Sequence, residues 1–149
     1  MCLAAMETIP KPDQWTLFDL GTGSGILVIY GAKLGAKRII GTDIDKEALG
    51  WAEKNIGLNH LDRPIEISAR PIEEWEGPFF MVTANLILRA ISELLPHIVR
   101  VLEPSGWAIL SGLLHEQVNQ VIGDMKKTSL GVNDIIHQEE WSCIVAQKK

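Results

Sequence analysis

The run Asp19-Leu20-Gly21-Thr22-Gly23-Ser24-Gly25 sets a carboxylate two residues ahead of three alternating glycines. A ligand can lie against backbone only where no Cβ intervenes, a condition that Gly21 and Gly23 meet. Gly25 lets the following helix pack close to the preceding strand. The spacing G-x-G-x-G departs from the dinucleotide fingerprint, which runs G-x-G-x-x-G. The charge beside it points the same way. Asp19 would repel a pyrophosphate but attract an ammonium group, directly or through water. Together these features suit the amino-acid end of S-adenosylmethionine, with Asp19, Gly21, Thr22, Gly23 and Gly25 as the binding set. A nicotinamide site, or a loop that is merely tightly packed, are the competing readings.

Asp43 stands 22 residues after Gly21, at the end of the apolar run Arg38–Thr42. An acid there can accept hydrogen bonds from both hydroxyls of a ribose. It supports an adenosine-containing ligand, with Ile44 beside it as a further contact, without choosing between cofactors. Its removal is expected to weaken the ligand and leave the unliganded fold little changed. Asp45 has a different job, as the N-cap of the next helix.

Asn85 follows another apolar run, Phe79 to Ala84. If that run forms a strand beside the first one, Asn85 faces the sulfur of the methyl donor. Its amide oxygen can accept a hydrogen bond from a substrate amine and aim the nitrogen lone pair along the carbon–sulfur axis. Methyl transfer is an in-line displacement, so holding the reacting atoms ~3–3.5 Å apart supplies much of the rate. A lysine nucleophile must first lose a proton, and a dry site lowers its pKa. Asn85 is thus the catalytic candidate and a donor contact; the alternative is an Asn that only ends a strand. The other conspicuous residues read as structural. Trp15, Trp51, Trp75, Trp107 and Trp141 share no face, and His60, His97, His115 and His137 form no triad with either cysteine. Arg70 could approach an adenine edge but reads as a solvated loop charge.

These residues need elements to position them. Thr16–Leu20 reads as a buried strand, Ser24–Leu34 as a helix closed by Gly35, and Arg38–Thr42 as the next strand. A helix follows Asp45, with Ala48, Leu49, Ala52 and Ile56 at helical spacing. Ile65–Ile67 and Phe79–Ala84 read as the third and fourth strands. Ile91, Leu94, Leu95, Ile98 and Leu102 form a helical stripe in which Pro96 predicts a kink or two abutting pieces. Trp107–Leu110 reads as a fifth strand and His115–Lys127 as a fifth helix. Asp134–Gln138 and Ser142–Gln147 are close enough for an antiparallel hairpin. Alternating strands and helices imply a parallel sheet with helices on both faces. The expectation is a Rossmann-like α/β domain over residues 1–149, with about seven mostly parallel strands and a C-terminal antiparallel hairpin.

Composition narrows the setting. The 149 residues suit one domain, 46% of them are hydrophobic, and no apolar run approaches the ~20 needed to span a bilayer. The apolar start, Met1 to Met6, is too short and too uncharged for a signal peptide. Two cysteines, Cys2 and Cys143, give no zinc pattern and read as reduced core thiols of a cytoplasmic protein. The net charge of -5, with no stripe of Lys or Arg, disfavours a nucleic-acid partner and favours a basic protein or a small molecule.

Four motifs occur in order: Asp19 to Leu27, Gly41-Thr42-Asp43-Ile44-Asp45, Ala84-Asn85-Leu86 and Ser111-Gly112-Leu113-Leu114. With Glu140-Trp141 and the basic end Lys148-Lys149, they resemble the catalytic domain of the PrmA family, which methylates large-subunit ribosomal protein eleven. The first motif alone indicates only the methyltransferase superfamily; the combination narrows it. The resemblance covers nearly the whole chain. It implies S-adenosylmethionine as donor and, as acceptors, lysine side chains and an N-terminal amine of a basic ribosomal protein. By the same resemblance Gly21, Gly23 and Gly25 would hold the methionine part, Asp43 the ribose, and Asn85 the donor and the incoming amine.

Two departures stand out. The family carries an N-terminal recognition domain and a Gly/His/Thr-containing segment over the donor, and this chain begins at what looks like the helix after them. Phe80 stands where the family usually has Asp ahead of the fourth strand, which should alter only a surface or strand-end contact. Three other readings compete: a methyltransferase for another protein lysine or small amine, a non-catalytic S-adenosylmethionine-binding module, and an NAD-dependent oxidoreductase.

Overall fold

The structure, a computed structural model, describes residues 1–149. In chain order the elements are α1 (Cys2–Thr8), β1 (Thr16–Leu20), α2 (Ile26–Lys33), β2 (Arg38–Thr42), α3 (Lys46–Leu58), β3 (Glu66–Ser68) and β4 (Phe79–Asn85). They continue with α4 (Leu88–Val101), β5 (Leu102–Leu114), α5 (Val118–Met125), β6 (Leu130–Gln138) and β7 (Trp141–Lys148). The seven strands form one sheet in the order β3-β2-β1-β4-β5-β7-β6. Strands β1 to β5 are parallel, whereas β7 runs antiparallel to both β5 and β6.

Period-two alternation sorts the strand side chains between two cores. Leu17, Met81, Ile109, Cys143 and Val145 share a core with Cys2, Ala5 and Met6 of α1 and Leu27 and Val28 of α2. Phe18, Val82, Ala84, Leu110 and Ile144 share the other with Ile91, Leu95 and Ile98 of α4 and Val121 of α5. Each large side chain fully buried in this way contributes roughly 1.5–3 kcal/mol of transfer free energy. No helix is long and apolar enough to cross a membrane.

Several elements differ from the sequence expectation. Helix α2 starts at Ile26, because Gly25 takes the left-handed N-cap position and leaves Ser24 outside. Helix α4 runs as one element through Pro96 rather than as two pieces; its buried stripe of Ile91, Leu95, Ile98 and Val101 continues across the proline. Lys148 of β7 donates from Nζ to the carbonyls of Val99 and Leu102, both at 2.7 Å, which satisfies the end of α4. The expected fifth helix is a short 3-10 turn, His115–Gln117, followed by α5. Strand β5 extends well beyond Trp107–Leu110 in both directions, and β6 begins at Leu130, where Leu130 and Gly131 pair with Lys148 and Gln147.

Phe80 is the second residue of β4, near the start of the strand as expected, but it is not a surface contact. It is 7% exposed and meets Trp15 edge-on with ring centroids 6.2 Å apart. An aspartate could not occupy that apolar position unpaired, so the aromatic is a core residue.

Candidate active site

The chain leaves β1 outward to β2 and β3, then returns to β4 on the other side of β1. The loops after β1 and β4 therefore part above the carboxyl edge of the sheet, the usual place for a ligand in an open α/β fold. A cleft opens there in two lobes of about 700 and 490 Å³. The larger is bordered by Thr22, Gly23, Asn85, Ser111, Gly112 and Trp141, among others. Asp43, Ile44, Ala69, Arg70 and Ile72 border the smaller, and Gly21 and Leu86 border both.

Asp19 lies beneath the glycine loop, 1% exposed. Its Oδ1 accepts from the Thr83 hydroxyl at 2.6 Å, while Oδ2 has no partner. Burial, with a smaller push from the Asp43 carboxylate, raises its carboxyl from 3.8 to about 6, against the lowering effect of the Thr83 and Thr22 hydroxyls beside it. A shift of that size corresponds to roughly 3 kcal/mol of disfavour for the ionised form. A cation brought against Oδ2 would recover it.

The loop above Asp19 spends its amides internally. The N–H groups of Gly21 and Thr22 both donate to the Thr42 carbonyl at 2.8 Å, and that of Gly25 donates to Thr22 at 2.8 Å. The Gly23 N–H donates to Asp43 Oδ2 at 2.9 Å. With these four committed, the loop itself keeps only the Ser24 N–H free, far fewer than the amide nest that cradles phosphates in dinucleotide sites. The glycines also have three different reasons. Gly23, at φ +54, faces open space, as backbone approach requires. Gly21 does not leave room for a ligand: a Cβ there would stand 2.4 Å from Leu86 Cδ2, so Leu86 fills the space. Gly25 packs not against the strand but against α3, where a Cβ would lie 3.1 Å from that of Ala52, and it borders neither lobe.

Asp43 closes β2 and ties it to the loop. Besides Gly23 it accepts from the Asp45 N–H through Oδ1 at 3.0 Å. Each carboxylate oxygen keeps a further lone pair. Ile44 next to it is 94% exposed. Thr22 is buried, its Oγ1 without a partner. Asp45 caps α3 by accepting from the Glu47 N–H at 2.8 Å.

Asn85 ends β4, exposed, opposite Ser111 of β5. A register shift between Leu110 and Leu113 marks a bulge in β5, and Gly112 adopts φ +83 within it. A Cβ on Gly112 would stand 2.6 Å from the Leu86 carbonyl and 3.1 Å from Asn85 Oδ1. The Leu86 N–H donates to the Ser111 carbonyl at 3.0 Å. The Ser-Gly segment therefore presses against Asn85-Leu86. Of the eight predicted residues, Gly21, Thr22, Gly23, Asp43, Ile44 and Asn85 border the cleft, Asp19 underlies it, and Gly25 stands aside.

The sequence reading did not select Cys2, Leu86, Ser111, Gly112 or Trp141 as cleft residues. Trp141 is 42% exposed, and scattered spacing concealed its position. Trp15 and Trp75 are buried packing residues. Arg70 borders the smaller lobe but is engaged by Glu74 at 3.5 Å and stacks 4.3 Å over Trp75. His115 and His137 stack on each other 4.6 Å apart and bond Trp141 and Ser142, not the cysteines.

The family described as ribosomal protein L11 methyltransferase (PrmA) matches residues 1–149. The ribosomal protein L11 methyltransferase of Clostridium botulinum (strain Eklund 17B / Type B) is 38% identical over 149 residues, which are 100% of this chain and 47% of that protein. The chain spans about half the length of the curated relatives it matches. A crystal structure of ribosomal protein L11 methylase from Lactobacillus delbrueckii subsp. bulgaricus superposes with a TM-score of 0.91 at 29% identity, covering 99% of this chain and 76% of that one. A methyltransferase from Pyrococcus furiosus shares the fold, with a TM-score of 0.80 at 18% identity over 97% of this chain and 79% of its own.

Proposed function

The chain belongs to the ribosomal protein L11 methyltransferase (PrmA) family, and from that premise we propose that residues 1–149 are an S-adenosylmethionine-dependent catalytic domain that methylates amines of a ribosomal protein. The observation that carries the reading is the unpartnered Oδ2 of Asp19, buried beneath a loop that has four of its five amides bonded within the protein. Such a pocket is built for an ammonium and is poor for a phosphate.

The larger lobe then takes the amino-acid end of the donor and the smaller lobe the adenosine. Asp43 accepts from the ribose hydroxyls with the lone pairs its two backbone bonds leave free. Ile44 covers the adenosine from the solvent side, and Thr22 and Gly23 line its path across the loop. Gly21 acts through Leu86, and Gly25 through the packing of α2 on α3. When bound, S-adenosylmethionine supplies an electrophilic methyl group on a sulfonium sulfur. Asn85 accepts a hydrogen bond from the incoming amine and orients its lone pair. A lysine leaving water beside the cationic sulfonium would be pressed to shed its proton. A basic ribosomal protein in the cytoplasm as partner, rather than a nucleic acid, suits a net charge of -5.

Isothermal calorimetry tests the core of this reading. S-adenosylhomocysteine is expected to bind and NAD to bind far more weakly; a preference for NAD would overturn it.

A further inference from the structure

Cys2 and Cys143 stand at opposite ends of the sequence and meet in space. Cys2 opens α1, while Cys143 sits within β7 on the face that α1 and α2 cover, and both belong to one buried cluster. Both are free thiols. Ser111 borders the larger lobe together with Cys2 and sits in the β5 bulge alongside Cys143, so the two thiols and this hydroxyl gather at one place in the cleft wall. The two are not equally reachable. Cys143 is 0% exposed, whereas Cys2 is 8% exposed and borders the larger lobe of the cleft. A small molecule in the cleft meets Cys2 first and finds Cys143 directly behind it.

We propose that Cys2 and Cys143 form a reversible thiol–disulfide site in the wall of the cleft, with a hydroperoxide as oxidant. The Cys2 thiolate attacks a peroxide oxygen; the O–O bond breaks, a sulfenic acid forms on Cys2, and the other oxygen leaves as water after taking a proton. The Cys143 sulfur then attacks the Cys2 sulfur. The S–O bond breaks, the hydroxyl leaves with the Cys143 proton as a second water, and the S–S bond forms. With hydrogen peroxide, two thiols and one peroxide yield one disulfide and two waters, and an external dithiol reverses the change.

The environment favours that order. The neighbouring Cys143 holds the Cys2 thiol below the ordinary range, while the nearness of Cys2 and burial push Cys143 up. Cys2 is therefore the attacking sulfur and Cys143 the resolving one. The bond would staple the start of α1 to β7 beside Ser111 and Asn85. An occupant of the larger lobe would cover Cys2, a corollary that rests on the placement of the donor proposed above.

The test treats the whole chain with a small excess of hydrogen peroxide and follows intact mass and alkylatable thiols. The expected product is a monomer lighter by about 2 Da, the two thiol hydrogens, with no thiol left to alkylate and full recovery by dithiothreitol. Cys143→Ser is expected to stop at a Cys2 sulfenic acid that dimedone traps. The mass of the natural chain decides the matter even if that variant folds poorly. Two persistent thiols, direct passage of Cys2 to sulfinic acid, or disulfide-linked dimers alone would each overturn the proposal. Saturating S-adenosylhomocysteine is expected to slow crosslinking by at least about fivefold. Crosslinking at an unchanged rate in a complex that calorimetry shows to form upholds the thiol pair and overturns the donor's place in the larger lobe.

Discussion

The two sides of the cleft are finished to different degrees. At the ends of β1 and β2 the amides of Gly21, Thr22 and Gly23 are all bonded within the protein, and both oxygens of Asp43 already hold backbone. The vacancies in that half are small and buried: one Asp19 carboxylate oxygen and the hydroxyls of Thr22 and Thr42. At the ends of β4 and β5 the Asn85 side chain is exposed, and Ile87 and Trp141 present bare apolar surface. Under the proposed function the first half suits one small, fixed ligand, and the second is an open rim that a larger acceptor can complete. A donor common to every turnover rewards rigidity, whereas an acceptor surface must admit and release its partner.

The sharpest way to break this contrast is Asp19→Asn. Losing a buried charge-assisted contact, on the order of 1.5–3 kcal/mol, is expected to weaken S-adenosylhomocysteine ten- to a hundredfold. The thermal midpoint at pH 8 is expected to hold or rise, because the disfavoured buried charge is gone. Undiminished binding would place the ammonium elsewhere. Asp43→Ala is expected to cost about tenfold in the same titration. It should also lower the thermal midpoint, contrary to the sequence expectation, since the Gly23 and Asp45 amides lose their acceptor. A variant as stable as the natural chain would mean that the loop is held without it.

Acidity separates the halves as well. Asp19 titrates near 6 in the folded protein, above its ordinary 3.8. Its ionised form is the one the fold disfavours, so its contribution is a penalty in full above about pH 6, relieved as pH falls toward 3.8. Binding of an ammonium runs oppositely, because it needs the carboxylate. Affinity for S-adenosylhomocysteine is expected to drop about tenfold from pH 8 to pH 5, and the Asp19→Asn profile to be flat. Asn85→Ala sharpens the comparison from the other side. Its effect on S-adenosylhomocysteine is expected to stay within about threefold, since its partner is the acceptor, with the loss appearing in turnover instead. A tenfold loss of affinity would make Asn85 a donor residue first.

The parts legible in the sequence are those written in local, continuous signals. The buried runs Thr16–Leu20 and Arg38–Thr42 are the observed strands, and Asp45 ahead of Ala48, Leu49 and Ala52 caps the helix it announces. The first four family motifs have the same local character: each lies at the carboxyl end of one strand. What escaped depends on contacts between distant segments. Pro104 and Gly106 look like strand breakers, yet β5 begins ahead of them because Leu102 already pairs with Phe79 of β4; at Gly112 a bulge absorbs the irregularity and β7 pairs on both sides of it. Nothing near Gly21 reveals that Leu86, 65 residues later, fills its missing side chain. Phe80 reads as a rim residue only until Trp15 is seen against it.

The position of β7 between β5 and β6 has a consequence for how the chain is made. A ribosome delivers residues 130–138 before residues 141–148, yet β6 touches the sheet only through β7. While the nascent chain stops short of Trp141, β5 keeps an open edge beside Ala108, Ile109 and Leu110, and β6 has nothing to pair with. The sheet cannot grow strand by strand in the order of translation. Whether the hairpin forms first or β7 adds to β5 ahead of β6, the closing strand is the last one made, so a stall in synthesis between Gln138 and Trp141 leaves a bare strand edge exposed to aggregation.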